Sequence, residues 1–166
     1  MVSGTRFVDK FRYVPALHSI LPSSSVPKWV SLKGYNHVTA IISFKNTTTV
    51  TGVAITLAQA TAVAGTGTKA LAFTKMWANL DDASSVALTE TAVVSNTFTT
   101  SAVNSKTGYY IIEVDADDLD INNGFDCFQV ATANGGAATA LEVFYILGSV
   151  SRYAGDPGSF QDPLAD

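Results

Sequence analysis

Hydrophobic and polar residues alternate with a period of two over several short stretches of this chain. The clearest stretch covers residues 52–71, where Ile55 and Leu57 alternate with small or mildly polar residues. A two-residue period places alternate side chains on opposite faces of a β-strand. Gly65 and Gly67 follow in a loop of small residues, and glycine adopts a positive φ without a steric penalty. The stretch therefore predicts a strand, a tight reversal and a short return.

The same period recurs along the chain and predicts the other strands. A run that is apolar on both faces, Tyr109–Val114, indicates a central position in a sheet. Residues 83–107 are rich in β-branched side chains, which favours either one long strand or two short ones. In chain order the predicted strands are Lys28–Leu32, His37–Lys45, Val53–Ala58, Phe73–Ala78, Val86–Thr91 with Val93–Thr99, Tyr109–Val114, Phe125–Ala131 and Leu141–Val150.

Short turns join these strands, and no stretch shows a helical period, so the sequence predicts an all-β domain. About eight antiparallel strands in two packed sheets form a β-sandwich, and we expect the jelly-roll topology. A closed barrel remains an alternative, because it also requires alternating faces. The predicted domain spans residues 28–150. We expect an irregular N-terminal arm over residues 1–27, where prolines interrupt the pattern, and an irregular C-terminal tail over residues 151–166.

The composition limits the classes of partner. Charged residues make up 14% of the 166 residues, well below the ~25% of an average domain. A chain this poor in charge stays soluble through Thr, Ser and Asn, or hides much of its surface in an assembly. The net charge is −4 and the basic residues are scattered, so we expect no nucleic-acid partner. No run of 18 apolar residues occurs, so we expect no membrane partner.

An acidic loop offers the best candidate for a metal site, because calcium binds six to eight oxygen atoms. The carboxylates of this loop come from Asp115, Asp117, Asp118 and Asp120. The spacing of an EF-hand is not met, because Leu119 stands at the fifth position, where an oxygen ligand is needed. We therefore predict a solvated turn that is capped by Asp side chains, with no metal and no cofactor.

Other residues with catalytic or binding chemistry are isolated in the sequence. Cys127 and His37 could form a nucleophile pair only through a tertiary contact, and a small buried thiol is the simpler interpretation of the cysteine. Trp29, Trp77 and the tyrosines could form a platform for a sugar, although packing in the core or at an interface explains them more simply. No serine lies in a G-x-S-x-G motif. We therefore do not expect an enzyme.

Several segments resemble small structural proteins of tailed bacteriophages. The segments are WVSLKGY over residues 29–35, VAITLAQA over 53–60, GTGTKALAF over 65–73, DLD over 118–120 and GFDCF over 124–128. They match the family patterns W-V-x-L-x-G-Y, I-x-L-x-Q-A and G-T-G-x-K-A-L of jelly-roll-like capsid cement or decoration proteins. The resemblance covers roughly residues 29–131, and it is carried by packing and turn motifs.

This resemblance implies a virion structural protein that binds the shell of the major capsid protein and stabilises it. It also implies a homo-oligomer on the shell, with a trimer as one form. The implied location is the outer surface of the capsid, after assembly in the host cytoplasm. The alternative function is a carbohydrate- or receptor-binding β-sandwich on a virion or cell surface.

Aromatic residues at both ends of the chain form the candidate interface. The candidate interface residues are Phe7, Phe11, Tyr13, Tyr153 and Phe160. Full burial of one such side chain on a neighbour contributes about 1.5–3 kcal/mol, before the entropy of ordering the chain is subtracted. We therefore expect at least one end to adopt a fixed path only against a capsid subunit or another copy. We also expect chains that lack residues 1–27 or 152–166 to keep a folded domain.

Overall fold

A computed structural model describes residues 7–19, 26–133, 138–148 and 162–165. The strands are β1 Phe11–Ser19, β2 Val30–Ser31, β3 His37–Asn46, β4 Ala54–Ala60, β5 Lys69–Ala70, β6 Phe73–Asn79, β7 Thr89–Ser95, β8 Thr97–Thr99, β9 Thr107–Asp115, β10 Cys127–Thr132 and β11 Thr139–Gly148. Three 3₁₀ turns cover Phe7–Asp9, Ala116–Asp118 and Ile121–Asn123. Within the described ranges, no helix is long and apolar enough to cross a membrane.

The strands form two antiparallel sheets that pack as a sandwich. The larger sheet has the order β1-β11-β3-β9-β6-β7, and the smaller has the order β2-β10-β4-β5 with β8 also paired to β4. Antiparallel pairs join β1 with β11, β2 with β10, β3 with β9 and β4 with β8. The first strand thus pairs with the last, and each later pair lies inside the previous one, which is the wrapped hairpin of a jelly roll. The predicted all-β jelly-roll sandwich is confirmed, and the barrel alternative is not adopted.

An excursion between β4 and β8 makes the larger sheet wider. Strands β6 and β7 belong to this excursion, and β6 pairs with β9. The central position predicted for Tyr109–Val114 is therefore confirmed, because β9 lies between β3 and β6. The question of one strand or two over residues 83–107 is also answered. Strands β7 and β8 belong to different sheets, and the chain passes between them at Asn96, whose carbonyl accepts the N–H of Leu57 at 2.8 Å.

The core lies between the two sheets. Ile55, Leu57, Phe73, Ile112 and Val143, which all lie in strands predicted from the two-residue period, are buried in it.

Tyr145 of β11 joins the two sheets inside the core. Its ring packs against Phe128 at a centroid distance of 5.5 Å. Its hydroxyl oxygen accepts the N–H of Val130, in the smaller sheet, at 2.8 Å. This bond satisfies a phenol that burial would otherwise leave without a partner, and burial raises the pKa of Tyr145 above its usual value.

The irregular arm predicted over residues 1–27 is wrong for Phe11–Ser19. These residues form β1, which pairs antiparallel with β11, and the register shifts at Ala16. Closely spaced prolines favour an irregular segment, because each proline lacks a backbone N–H donor. Pro15 is accommodated because β1 is an edge strand with only one partner and because a bulge follows the proline.

Strand β1 also belongs to the core. Val14, Ala16 and Leu17 are each less than 5% exposed. The bulge at Ala16 lets both Val14 and Leu17 lie opposite inward-facing residues of β11. The folded unit therefore begins before residue 28, and a chain without residues 1–27 would lack its first strand.

Candidate functional site

The aromatic residues near the N-terminus lie on the outer face of the larger sheet, on its edge strand. We call Phe7, Phe11 and Tyr13 the edge aromatic cluster. Phe7 stacks on Phe11 with centroids 5.1 Å apart, and Tyr13 stacks on Phe144 of β11 at 5.6 Å. The other two candidate interface residues, Tyr153 and Phe160, lie outside the described residues.

Local sequence explains the position of this cluster. The alternation along β1 turns Val14 inward, so Tyr13 faces outward. A 3₁₀ turn, closed by a bond from the N–H of Lys10 to the carbonyl of Phe7 at 3.1 Å, folds Phe7 back over Phe11. Phe7 is 52% exposed and Tyr13 is 53% exposed. The cluster is thus held on the sheet while about half of two aromatic side chains remains in solvent.

A row of apolar side chains continues from this cluster across the outer face. We call Phe144, Ile41, Ile111 and Trp77 the central row. Ile41 lies opposite both Phe144 and Ile111, and Ile111 lies opposite Trp77. All four side chains are partly exposed. The row therefore places large apolar groups in register on four adjacent strands, on the face away from the core.

Sequence reasoning missed the central row as a unit. Its members come from β3, β6, β9 and β11, which are far apart in the chain, and only strand pairing brings them into register. One signal was present, since the run Tyr109–Val114 is apolar on both faces. Such a run is expected in a strand that is covered on both sides, and here one of those sides faces solvent.

Polar and charged residues border the central row. Glu142 lies on one side of it and Glu113 on the other, as the register with β3 requires. At the β7 end, Lys75 pairs with Glu90 at 3.2 Å. Such exposed pairs contribute little to stability. The outer face thus combines an apolar centre with a mixed border, in which Tyr109 and Ile146 lie beside the polar and charged residues.

The two tryptophans do not form a common sugar platform. The indole of Trp29 packs against Gly65, in the loop after β4 of the smaller sheet. Trp77 lies in β6 of the larger sheet and faces outward. The described aromatic pairs on the surface, Tyr13 with Phe144 and Phe7 with Phe11, are each stacked ring against ring, so one face of each ring is already covered.

The acidic loop contains two 3₁₀ turns, Ala116–Asp118 and Ile121–Asn123, and an acidic side chain caps the first of them. The carboxylate of Asp118 accepts the N–H of Asp115 at 3.0 Å. Asp120 accepts hydrogen bonds from Lys69 at 2.5 Å and from Asn123 at 2.8 Å, and these bonds lower the pKa of Asp120. Among the residues that the structure describes, no group of three or more His, Cys, Asp and Glu side chains is arranged to hold a metal ion. The carboxylates serve local hydrogen bonds, as in the predicted capped turn.

Cys127 and His37 begin strands that belong to different sheets. Cys127 is fully buried, and its thiol donates to Asp126 at 3.2 Å. His37 instead bonds through Nδ1 to Asp115 at 2.7 Å. The geometry fits the interpretation of Cys127 as a small buried residue of the sheet.

Clefts border the outer face at several places. One of about 320 Å³ opens beside Tyr13, between β1 and residues 162–164. Another of about 230 Å³ lies along β6, where Trp77 contributes to its lining. A further cleft of about 410 Å³ is lined by Ser43 and Glu142.

No protein-family model matches the chain, and no curated protein matches it. Among solved structures, the chain is similar to the SPBc2 prophage-derived protein YomS. The two chains are 12% identical, the match covers 84% of this chain and 93% of that one, and the TM-score is 0.45. A similarity at this level does not assign a function to the chain.

Proposed function

We propose that this protein is a virion structural protein, a capsid cement or decoration subunit that binds the shell of the major capsid protein and stabilises it. The motifs over residues 29–35, 53–60 and 65–73 support the family. The edge aromatic cluster supports the mode of binding, and its exposure is the observation that carries the proposal. Phe7 and Tyr13 each expose about half of their side chains on one face of an edge strand.

Burial of these two side chains on a capsid subunit supplies the binding energy. A large side chain that becomes fully buried contributes about 1.5–3 kcal/mol, and a half-buried one contributes correspondingly less. The loss of chain entropy is small, because Phe11 and Tyr13 already belong to an ordered strand. This differs from the free arm expected from the sequence, which would be ordered only on the shell.

Many copies bind to one shell, so a weak contact made by each copy adds up to a large stabilisation of the shell. Each copy that bridges neighbouring capsid subunits turns the second contact into an intramolecular event with a high effective concentration. The shell therefore gains resistance to heat although a single copy binds weakly.

The test uses purified capsid shells and a double variant, Phe7→Ser with Tyr13→Ser. We expect its affinity for shells, measured by co-sedimentation, to fall about tenfold or more, because two aromatic contacts are lost. The temperature at which the shells open should fall toward that of undecorated shells. Val86→Ser is the matched control, because Val86 is 90% exposed and lies outside the strands of the outer face.

Circular dichroism and thermal unfolding establish that the variants are folded. Equal binding by the wild type and the double variant would exclude the edge aromatic cluster as the contact. Failure of the wild type to bind or to stabilise any shell would exclude the cement function.

A further inference from the structure

The outer face of the larger sheet has large apolar residues where a solvent-facing sheet usually carries polar ones. Along the central row, Phe144, Ile41, Ile111 and Trp77 form a continuous line across four strands. An antiparallel sheet with one face in water normally alternates apolar-in with polar-out. A contiguous apolar patch with a polar rim marks an interaction surface.

The order of residues in the central row identifies the partner. The row reads the same from both ends: aromatic, isoleucine, isoleucine, aromatic. A two-fold axis that runs parallel to the strands, between β3 and β9, exchanges Ile41 with Ile111 and Phe144 with Trp77. If two copies pack face to face about this axis, isoleucine meets isoleucine and ring meets ring. A symmetric dimer requires a self-complementary patch of this kind.

The charges that border the row are compatible with the same axis. On one side of the row, the axis places Glu142 of β11 opposite the end of β6, where Asn79 is buried and bonded to the carbonyl of Ser85 at 2.7 Å. On the other side, it places Glu113 of β9 opposite Thr39 of β3. Within these two flanking rows, no carboxylate faces another carboxylate.

The size of the face is sufficient for a weak dimer. The face has six strands, which lie about 4.8 Å apart, and same-face residues are about 6.7 Å apart along each strand. Three such residues on each strand, in the central row and the two flanking rows, give roughly 500–600 Å² of sheet per copy. Two copies would bury about 1,000–1,200 Å², at the lower end of specific interfaces. Two sheets that pack in this way lie about 10 Å apart, and the strand directions of one sheet lie within about 30° of those of the other.

We infer that the outer faces of the larger sheets of two copies pack against each other as a symmetric dimer, with Ile41 of one copy against Ile111 of the other. The dimer forms without a capsid, because both surfaces belong to this chain. The six-strand contact includes β1, so the dimer and the shell would compete for Tyr13. Because dimer formation is measured without shells, the inference is still tested separately from the proposed function.

The first measurement is sedimentation velocity of the full chain over a micromolar to millimolar concentration series. The wild type should change from monomer to dimer within this range. Ile111→Glu should raise the dissociation constant about thirtyfold or more, as expected for a central contact residue. Val26→Glu is the matched control, because it makes the same kind of change at an 80% exposed valine beside Pro27, which lies over the smaller sheet.

A mixing experiment tests the predicted register. Ile41→Lys alone and Ile111→Glu alone should both be monomeric, because each places two unpaired charges in the contact. An equimolar mixture should form a heterodimer, because Lys at position 41 then meets Glu at position 111 of the other chain. The remaining Ile111 and Ile41 of that pair still meet each other. A partner protein or a covering segment of the same chain would not give this rescue.

Circular dichroism and thermal unfolding check that each variant is folded. If Ile111→Glu unfolds, Ser43→Arg replaces it, since Ser43 flanks the central row and is partly exposed. A wild type that stays monomeric at every concentration would overturn the inference. So would a Val26→Glu variant that is weakened as much as the central-row variants, or a mixture that stays monomeric.

Discussion

The two outer faces of the sandwich carry opposite kinds of residue. On the smaller sheet, the outward residues of β4 and β10 are small or of medium size, and Ala58, Ala60, Cys127 and Gln129 are all buried. On the larger sheet, the outward residues of the central row are large and apolar, yet each is partly exposed. Small side chains thus lie under cover, and large apolar ones face solvent.

The difference comes from the segments that cross the smaller sheet. The side-chain amide of Gln129 donates to the carbonyl of Pro27 at 2.5 Å. The N–H of Lys28 donates to the carbonyl of Ala16 in β1 at 3.0 Å. Gly65, in the loop after β4, lies so close to Trp29 that an added Cβ would be 2.7 Å from the indole nitrogen. The chain itself closes one outer face, and within the described ranges the central row of the other face stays partly exposed.

The largest expected effect comes from deletion of residues 1–27. This deletion removes β1 and also the carbonyl of Ala16, which accepts the N–H of Lys28. The segment that covers the smaller sheet would lose this anchor, so the two outer faces would no longer differ in how they are covered. Burial of Val14 and Leu17 contributes about 1.5–3 kcal/mol each, which is large against a total stability of about 5–15 kcal/mol. We expect loss of the cooperative thermal transition, measured by calorimetry and near-ultraviolet circular dichroism.

Deletion of residues 1–10 is the matched control for β1. It keeps Phe11–Ser19 and should leave a folded domain with a cooperative transition. If the longer deletion unfolds at the same temperature as the shorter one, β1 does not contribute to the core as described.

A smaller effect is expected when the same kind of substitution, a small residue to leucine, is made on the covered face and on the open face. Ala60→Leu adds bulk at a position with no exposed surface, and overpacking of this kind costs about 1–3 kcal/mol. Ser43→Leu adds bulk on the open face of the larger sheet and should change stability by less than about 0.5 kcal/mol. Urea unfolding at low protein concentration, where the chain is monomeric, measures both.

Equal losses of unfolding free energy for Ala60→Leu and Ser43→Leu would contradict the difference between a covered and an open face. In that case either the segments over Ala60 yield to a larger side chain, or Ser43 is covered by part of the same chain.

The smallest effect concerns the pH dependence at the edge of the smaller sheet. Hydrogen bonds from Lys69 first, and then from Asn123, lower the pKa of Asp120. A carboxyl whose pKa is lower in the folded state stabilises the fold above its unfolded pKa of about 3.9, and this stabilisation is lost as the pH falls through the folded pKa. Lys69→Gln should therefore lower the melting temperature at neutral pH, and the difference from wild type should close in acid.

Lys45→Gln provides the control for this titration. Lys45 is exposed and has no carboxylate partner within salt-bridge distance among the described residues. Its difference from wild type should not vary with pH between neutral and acid conditions. A Lys69→Gln difference that stays constant as the pH falls would mean that the bond to Asp120 does not stabilise the fold.

Most of the fold could be predicted, because the signal for each strand is local. The predicted strands at His37–Lys45 and Phe73–Ala78 end within one residue of β3 and β6. Strand β1 could not be predicted, since Pro15 and the bulge at Ala16 break its period. An edge strand with one partner tolerates both the proline and the bulge, but β1 becomes an edge strand only when it pairs with β11.

Part of the candidate site could also be predicted. Phe7, Phe11 and Tyr13 stand out in the sequence as aromatic residues among charges and prolines. Their attachment to the sheet was not predictable, because it depends on the pairing of β1 with β11. The central row was missed for the same reason, since each of its members lies in a different strand.

By itself the sequence determined which side chains of most strands share a face, because a two-residue period is a property of the local backbone. It also determined the reversal at Gly65 and Gly67, whose φ angles of 76° and 65° favour glycine. Only the tertiary structure decided which outer face is covered. That choice depends on where residues 26–29 and 61–68 cross the sandwich, and their paths are fixed by contacts with strands distant in sequence.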